Sequence, residues 1–207
     1  MSTDIFENGR KLPLIHSFYT LQGEGFHTGK AAYFIRIGGC DIGCNWCDTK
    51  YSWRPDLNKL VSVEQILTEA SSYPTKSVVV TGGEPLMYNM EPLTTLLKQH
   101  GFKTFLETSG AYPLTGIWDW ICLSPKSDKP PLPEIVSRAN ELKVIIYNDE
   151  DFLWAEKYAA LVDNTCHLYL QPEWSRHKAN TKKIIEYIKK HPKWRLSVQL
   201  HKYLGIP

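Results

Sequence analysis

Apolar positions along this chain fall into two rhythms that take turns. Short runs rich in apolar, β-branched and aromatic residues occupy Leu14–Thr20, Ala31–Ile37, Ser77–Val80, Lys103–Leu106, Trp118–Leu123, Leu142–Tyr147, Cys166–Leu170 and Trp194–Leu200. Their length and bounding turn residues predict strands. Between them lie segments with helical signals. Ser62 and Gln65 form a capping box that opens a helix to about Ser72. Met90–His100 is closed by Gly101. Pro133–Asn140 is helical, Asp149–Val162 has an acidic first turn that suits the helix dipole, and Thr181–Lys190 is a basic helix with a solvated face.

This alternation predicts a largely parallel sheet with helical crossovers. Ser77–Val80 is the uninterrupted run expected of a strand buried on both faces. From Ala31 onward every strand except Leu142–Tyr147 runs into a polar cluster: Gly39–Thr49 with its three cysteines, Thr81-Gly82-Gly83-Glu84-Pro85, Glu107-Thr108-Ser109-Gly110, Ser124-Pro125-Lys126, Gln171-Pro172-Glu173, and His201-Lys202. Parallel strands end on one edge, and that edge carries the site in α/β folds. The expected fold is α/β, an incomplete (β/α) barrel of the TIM type, since six or seven strands are too few for eight-fold closure. A single domain over residues 1–207 is expected, with no internal repeat or linker. The gap would be covered by the N-terminal segment, the C-terminal tail or a second subunit.

Composition narrows the partners. A net charge of +2 gives no bulk attraction for nucleic acid. Hydrophobic content of 43% and charged content of 22% are those of an ordinary soluble globule. No apolar run approaches a membrane span, and Met1–Lys11 is polar without a signal-peptide core. Five cysteines, three of them on one loop, argue for reduced metal-binding thiols in a cytoplasmic setting and against a disulfide framework.

Those three cysteines, Cys40, Cys44 and Cys47, have the spacing C-x3-C-x2-C. Three thiolates can hold three irons of a 4Fe-4S cluster and leave the fourth iron open to a substrate. Ordinary cluster ferredoxins use four cysteines, and structural zinc sites use four ligands. Cys122 and Cys166 are remote and sit in apolar runs. The alternative is a zinc knuckle completed by a distant His or Cys. His16, His27, His100, His167, His177 and His191 lack metal spacing and read as solvated or core histidines; His201 falls on the predicted mouth. Three further features carry two readings each. Leu21-Gln22-Gly23-Glu24-Gly25 is a hairpin turn or a backbone that a ligand can approach. Arg36 is a wet or paired strand residue, or a planar fork for a carboxylate. Thr49 caps a backbone N–H or ligates a hard ion such as Mg2+.

The cysteine loop, with an aromatic residue just before its last cysteine, together with Gly82-Gly83-Glu84-Pro85, resembles the signature of the radical S-adenosylmethionine (SAM) enzymes. With Leu21–Gly25, Cys47-Asp48-Thr49, Glu107–Gly110, Ser124–Lys126 and the ending His201-Lys202…Pro207, nearly the whole chain resembles the 7-carboxy-7-deazaguanine synthase family. The resemblance implies that Cys40, Cys44 and Cys47 hold the 4Fe-4S cluster. It implies SAM contacts at Trp46, Cys47, Asp48, Gly82, Gly83, Glu84, Gly110, Ser124, Pro125, Lys126 and Gln171. Substrate contacts are implied at Leu21, Gln22, Gly23, Arg36, Thr108 and the Pro207 carboxylate, and a Mg2+ ligand at Thr49. The implied reaction converts 6-carboxy-5,6,7,8-tetrahydropterin to 7-carboxy-7-deazaguanine with loss of ammonia, on the route to 7-cyano-7-deazaguanine and queuosine. A carbon radical is needed for such a ring contraction, and the cofactor must supply it, since no side chain here can. A reductant protein such as flavodoxin or ferredoxin and a homodimer are implied as partners. The rivals are a glycyl-radical-activating enzyme and a zinc-binding RNA-associated module whose aromatic residues stack bases.

Overall fold

The structure, a computed structural model, describes residues 4–207; Met1–Thr3, the start of the polar N-terminal stretch, lie outside the described residues. In chain order the strands are β1 (Lys11–Leu12), β2 (Leu14–Leu21), β3 (Ala31–Ile37), β4 (Val61–Ser62), β5 (Ser77–Gly82), β6 (Lys103–Thr108), β7 (Trp120–Leu123), β8 (Glu141–Ile146), β9 (His167–Pro172) and β10 (Trp194–Leu196). The helices are α1 (Val63–Ser71), α2 (Glu91–Gln99), α3 (Pro133–Val136), α4 (Glu150–Ala159), α5 (His177–Lys190) and α6 (Leu200–Leu204). Eight strands form one sheet in the order β10-β9-β8-β7-β6-β5-β3-β2. All neighbours are parallel except β2, which pairs antiparallel with β3 at the edge. The sheet does not close: β2 and β10 remain edges. An incomplete (β/α) barrel is what alternating strands and helices dictate when the count stops short of eight parallel strands.

Side chains alternate across the sheet with period two. Tyr33, Ile35 and Ile37 of β3, Val78 and Val80 of β5, and Leu142, Val144 and Ile146 of β8 belong to the main core, together with Ile66, Leu93, Leu97, Ala155 and Ile184 from the helices. The intervening positions include a small second cluster, Ala32, Phe34 and Val79 backed by Phe18 and Phe105. The same phase places Arg36, Thr81, Glu107, Lys143 and Gln171 opposite the helical layer. The capping box is present: Gln65 N donates to Ser62 Oγ at 3.2 Å and Ser62 N to Gln65 Oε1 at 3.0 Å.

Several bounds differ from the sequence reading. The last strand stops at Leu196, not Leu200, and His201-Lys202 ride on α6. The seventh strand begins at Trp120, because Asp119 turns its carboxylate back onto Thr104 N at 2.7 Å. The segment from Pro133 is helical only to Val136, since Asn140 is stitched to β7 through Ile121 N at 2.8 Å and Ile121 O at 3.0 Å. Helix α5 starts at His177, four residues early, led in by a 3-10 turn whose amides at Ser175 and Arg176 donate to the Glu173 carboxylate. The two-residue pair of β1 with β4 was not visible in the sequence pattern.

Candidate active site

The strand ends converge on a cavity of about 190 Å3. Cys40, Cys44 and Cys47 all face it, as do Gly83, Glu84, Ser124, Lys126 and Gln171 from the following strand ends. A second cavity of about 200 Å3 adjoins it, lined by Leu21, Gln22, Gly23, Arg36, His201 and Pro207. Asp48, Thr49, Thr81, Gly82, Glu24, Glu107 and Gln199 line both. Thr49, the residue expected to ligate Mg2+, therefore stands on the boundary.

The first cavity is held together by backbone. Gly83 N donates to Ile37 O and Glu84 N to Gly39 O, each at 2.8 Å. A Cβ on Gly83 would stand 2.1 Å from Gly39 O, and one on Gly82, whose φ is +136°, would stand 2.0 Å from Ile37 O. The two glycines are thus required where the strand end presses against the root of the cysteine loop. Glu84 is buried at 1% exposure and accepts four hydrogen bonds: Leu86 N (3.1 Å), Thr108 Oγ1 (2.6 Å), Ser109 N (2.8 Å) and Ser109 Oγ (2.5 Å). Those donors take up the carboxylate's acceptor capacity. Glu84 braces β6 against the Gly-Gly turn, and an arriving amine must replace one of these donors. Thr108 lines the first cavity, not the second, and its hydroxyl is engaged with Glu84 and with Gly110 N at 2.9 Å. Gly110 and Pro125 stand outside both linings; Gly110 backs onto Leu123 and Pro131.

Lys126 Nζ donates to Ser124 O at 2.5 Å and Ser124 Oγ at 2.8 Å and lies 5.8 Å from the Trp46 ring centroid. Burial pulls its pKa down, with the Cys44 thiol beside it acting in the opposite sense. It is a cation facing the cavity with neutral partners, suited to a carboxylate. Burial also pushes the Cys40 and Cys44 thiols up, so both favour the neutral form until a cation compensates their charge. Thr49 Oγ1 lies 3.5 Å from Cys47 Sγ and caps no backbone N–H. Cys122 and Cys166 are buried elsewhere and line neither cavity. Three thiols on one loop at a shared cavity fit a cluster with one iron free of cysteine. Among the described residues no three His, Cys, Asp or Glu side chains are gathered around one ion position.

Along the wall between the two cavities runs a chain of charged and amide side chains, of which the sequence reading named only Gln22 and Asp48 as site residues; Glu24, Glu107 and Gln199 line both cavities, and Lys143 lines the first. Lys143, 4% exposed, reaches Glu24 Oε2 at 2.6 Å and Glu107 Oε2 at 2.8 Å. Gln22 Nε2 donates to Glu107 Oε1 at 3.3 Å. Gln199 Nε2 donates to Glu24 Oε1 (2.9 Å) and Asp48 Oδ2 (3.1 Å), and Lys202 Nζ to Asp48 Oδ2 (2.5 Å). Burial opposes ionisation of Glu24, but Lys143 and Gln199 prevail and hold it at about 2. The Leu21–Gly25 segment is a hairpin connection that also lines a cavity. Gly29 N donates to Gln22 O at 2.8 Å in a hairpin connection, and the same residues turn inward to line the cavity. Arg36 Nε donates to His16 Nε2 at 3.2 Å, and its side chain lines the cavity. The signal for Lys143 was a lone lysine inside the apolar run Leu142–Tyr147, the one strand without a polar cluster at its end.

Residues 34–146 match the Radical SAM superfamily. The chain is 54% identical to the 7-carboxy-7-deazaguanine synthase of Flavobacterium psychrophilum over 97% of its own length and 95% of that protein. It is 50% identical to that of Synechocystis sp., covering 94% of this chain and 93% of the relative. The chain belongs to the 7-carboxy-7-deazaguanine synthase family of radical SAM enzymes. The crystal structure of QueE from Escherichia coli superimposes with a TM-score of 0.82 at 33% identity, over 97% of this chain and all of that one. Membership brings a 4Fe-4S cluster and SAM as cofactors, a small-molecule substrate and a reductant, and replaces the zinc and RNA-module readings. Among the described residues no helix is long and apolar enough to cross a membrane.

Proposed function

We propose that the chain converts 6-carboxy-5,6,7,8-tetrahydropterin to 7-carboxy-7-deazaguanine with release of ammonia, in queuosine biosynthesis, and that the two cavities divide the work. The observation that carries this is their adjacency: a three-thiol chamber opens onto an arginine-bearing chamber across Asp48, Thr49 and Gly82. When bound in the first chamber, the cluster and SAM supply the 5′-deoxyadenosyl radical that starts the ring contraction.

The chain's own residues bind and orient. Cys40, Cys44 and Cys47 hold the cluster. Lys126 pairs the SAM carboxylate, and Trp46, Gly82, Gly83, Ser124 and Gln171 wall the same chamber. In the second chamber Arg36 pairs the substrate carboxylate, a bidentate match of charge and shape. Gln22 and Gly23 present backbone to the pterin, and Pro207 lines the same chamber. Lys143 pairs both Glu24 and Glu107, which fixes the wall and leaves it one carboxylate charge in excess. Thr49, on the boundary, would hold Mg2+ through its hydroxyl, and the ion would supply positive charge beside the substrate carboxylate. The protein works in the cytoplasm as a homodimer with a flavodoxin- or ferredoxin-type reductant; the open edges β2 and β10 support an assembly that covers the barrel's gap.

Cluster-reconstituted protein is assayed anaerobically with SAM, dithionite, Mg2+ and the carboxytetrahydropterin, and 7-carboxy-7-deazaguanine is read by mass spectrometry. Product that disappears with Cys44→Ala supports the reading. SAM cleavage without deazapurine removes the substrate assignment and leaves the radical chemistry. Thr49→Ala tests the Mg2+ role: its rate should lose most of its dependence on Mg2+, and unchanged dependence removes that role.

A further inference from the structure

Ser197 lies just beyond β10, outside every motif of the site and 2% exposed. Its hydroxyl is engaged on both sides. Gly25 N donates to Ser197 Oγ at 3.0 Å, and Ser197 Oγ donates to Gln171 Oε1 at 2.7 Å. The direction of the second bond follows from the hydroxyl's proton, which the reverse amide flip would leave without an acceptor. An amide N–H can only donate, so it occupies a lone pair of the hydroxyl and leaves the hydroxyl proton free. Gln171 Oε1 is the acceptor within reach of that proton. The carboxamide of Gln171 is therefore fixed with its carbonyl toward Ser197 and its NH2 toward the first cavity, which Gln171 lines. Gln171 Nε2 makes no hydrogen bond to another described residue.

We propose that Ser197 is a positioning residue for SAM: it locks the flip state of the Gln171 amide so that the cavity receives a donor, not an acceptor. This rests on the assignment of the first cavity to SAM. An amide rotor with both ends uncommitted presents a donor and an acceptor in turn, and the wrong face meets the cofactor's oxygen atoms with an oxygen. A hydroxyl whose proton has the amide oxygen as its acceptor favours one flip before SAM arrives, because the reverse flip would leave that buried proton unpaired; this is preorganisation settled in folding and not in binding. The same hydroxyl holds Gly25, at the end of the turn that walls the second cavity, so the wild-type residue touches both chambers. Binding of SAM alone isolates the Gln171 branch.

The test is a double-mutant cycle on the reconstituted holoenzyme, with SAM affinity read by calorimetry in the absence of pterin and by the SAM-induced change in the cluster's electron paramagnetic resonance spectrum. Ser197→Ala should weaken SAM binding about 5- to 10-fold, the scale of one hydrogen bond. Gln171→Ala should weaken it by at least as much. The double variant should match Gln171→Ala alone, because Ser197 acts through that amide. Ser197→Cys, of similar size but a weak donor, should behave like Ser197→Ala and keeps the test available if alanine unfolds the protein. Additive losses, or unchanged affinity in Ser197→Ala, overturn the proposal while leaving SAM in the first cavity. Unchanged affinity in Gln171→Ala overturns both the proposal and the placement of SAM against that residue.

Discussion

The root of the cysteine loop is joined backbone to backbone, whereas the wall between the two chambers is built of side chains drawn from distant parts of the chain. In the first, Gly82 and Gly83 press on the carbonyls of Ile37 and Gly39, and Glu84 gathers four donors from neighbouring segments. In the wall between the chambers, Lys143 of β8 reaches Glu24 from the β2–β3 connection, and Gln199 and Lys202 of the C-terminal segment reach Asp48. The difference teaches where each chamber can change. The backbone joint tolerates no added atom. A wall of paired charges fails when one charge is removed.

The largest expected effect attacks the wall between the chambers. Lys143→Met leaves Glu24 and Glu107 buried beside an apolar side chain, which should cost about 3–5 kcal/mol. Urea unfolding should show the loss, and a change under about 1 kcal/mol would mean that the wall relaxes around the missing charge. Gly83→Ala should come next, at roughly 2–3 kcal/mol for a Cβ forced against Gly39 O. It should also lower iron content after reconstitution, because the cysteine loop must shift; full iron loading would contradict the joint.

A pH dependence sharpens the contrast. Burial raises Glu141 to about 7, with Lys143 opposing and Glu107 adding to the shift. A carboxyl whose folded pKa is raised contributes stability below its ordinary value and loses it as pH rises through the folded value. The midpoint of thermal unfolding should therefore fall between about pH 5 and about pH 8, and Glu141→Gln should flatten that fall. An identical slope in the variant would assign the dependence to other groups. The smallest stability effect belongs to Lys202→Met. Its pair with Asp48 is partly exposed and should be worth about 0–1 kcal/mol, while KM for the pterin rises several-fold and KM for SAM holds. Equal rises in both would deny that α6 serves the second chamber.

The same division governs what the sequence disclosed. The cysteine loop, the Gly-Gly turn and Ser124–Lys126 are contiguous, and each follows a strand, so strand order alone brings them to one edge. The alternation of elements sufficed for a parallel, incomplete barrel. Glu24, Glu107, Lys143 and Gln199 were not legible as a unit, because residues 119 and 175 positions apart in sequence meet only after the sheet has curled. Lys143 gave a local hint as a charge on the inward phase of an apolar strand. That Thr108 and Ser109 also bind the Glu84 carboxylate was not legible, because nothing local in the sequence revealed it. His201 fell on the mouth as expected, but on a helix, since the chain leaves the sheet at Leu196.

The most direct test of the divided site is a crystal structure of the reconstituted protein soaked anaerobically with SAM and 6-carboxy-5,6,7,8-tetrahydropterin. The account predicts SAM in the chamber of Cys40, Cys44, Cys47, Lys126 and Gln171, and the pterin beside Arg36, His201 and Pro207, the two meeting at Thr49. Pterin in the three-thiol chamber, or SAM against Arg36, would contradict it.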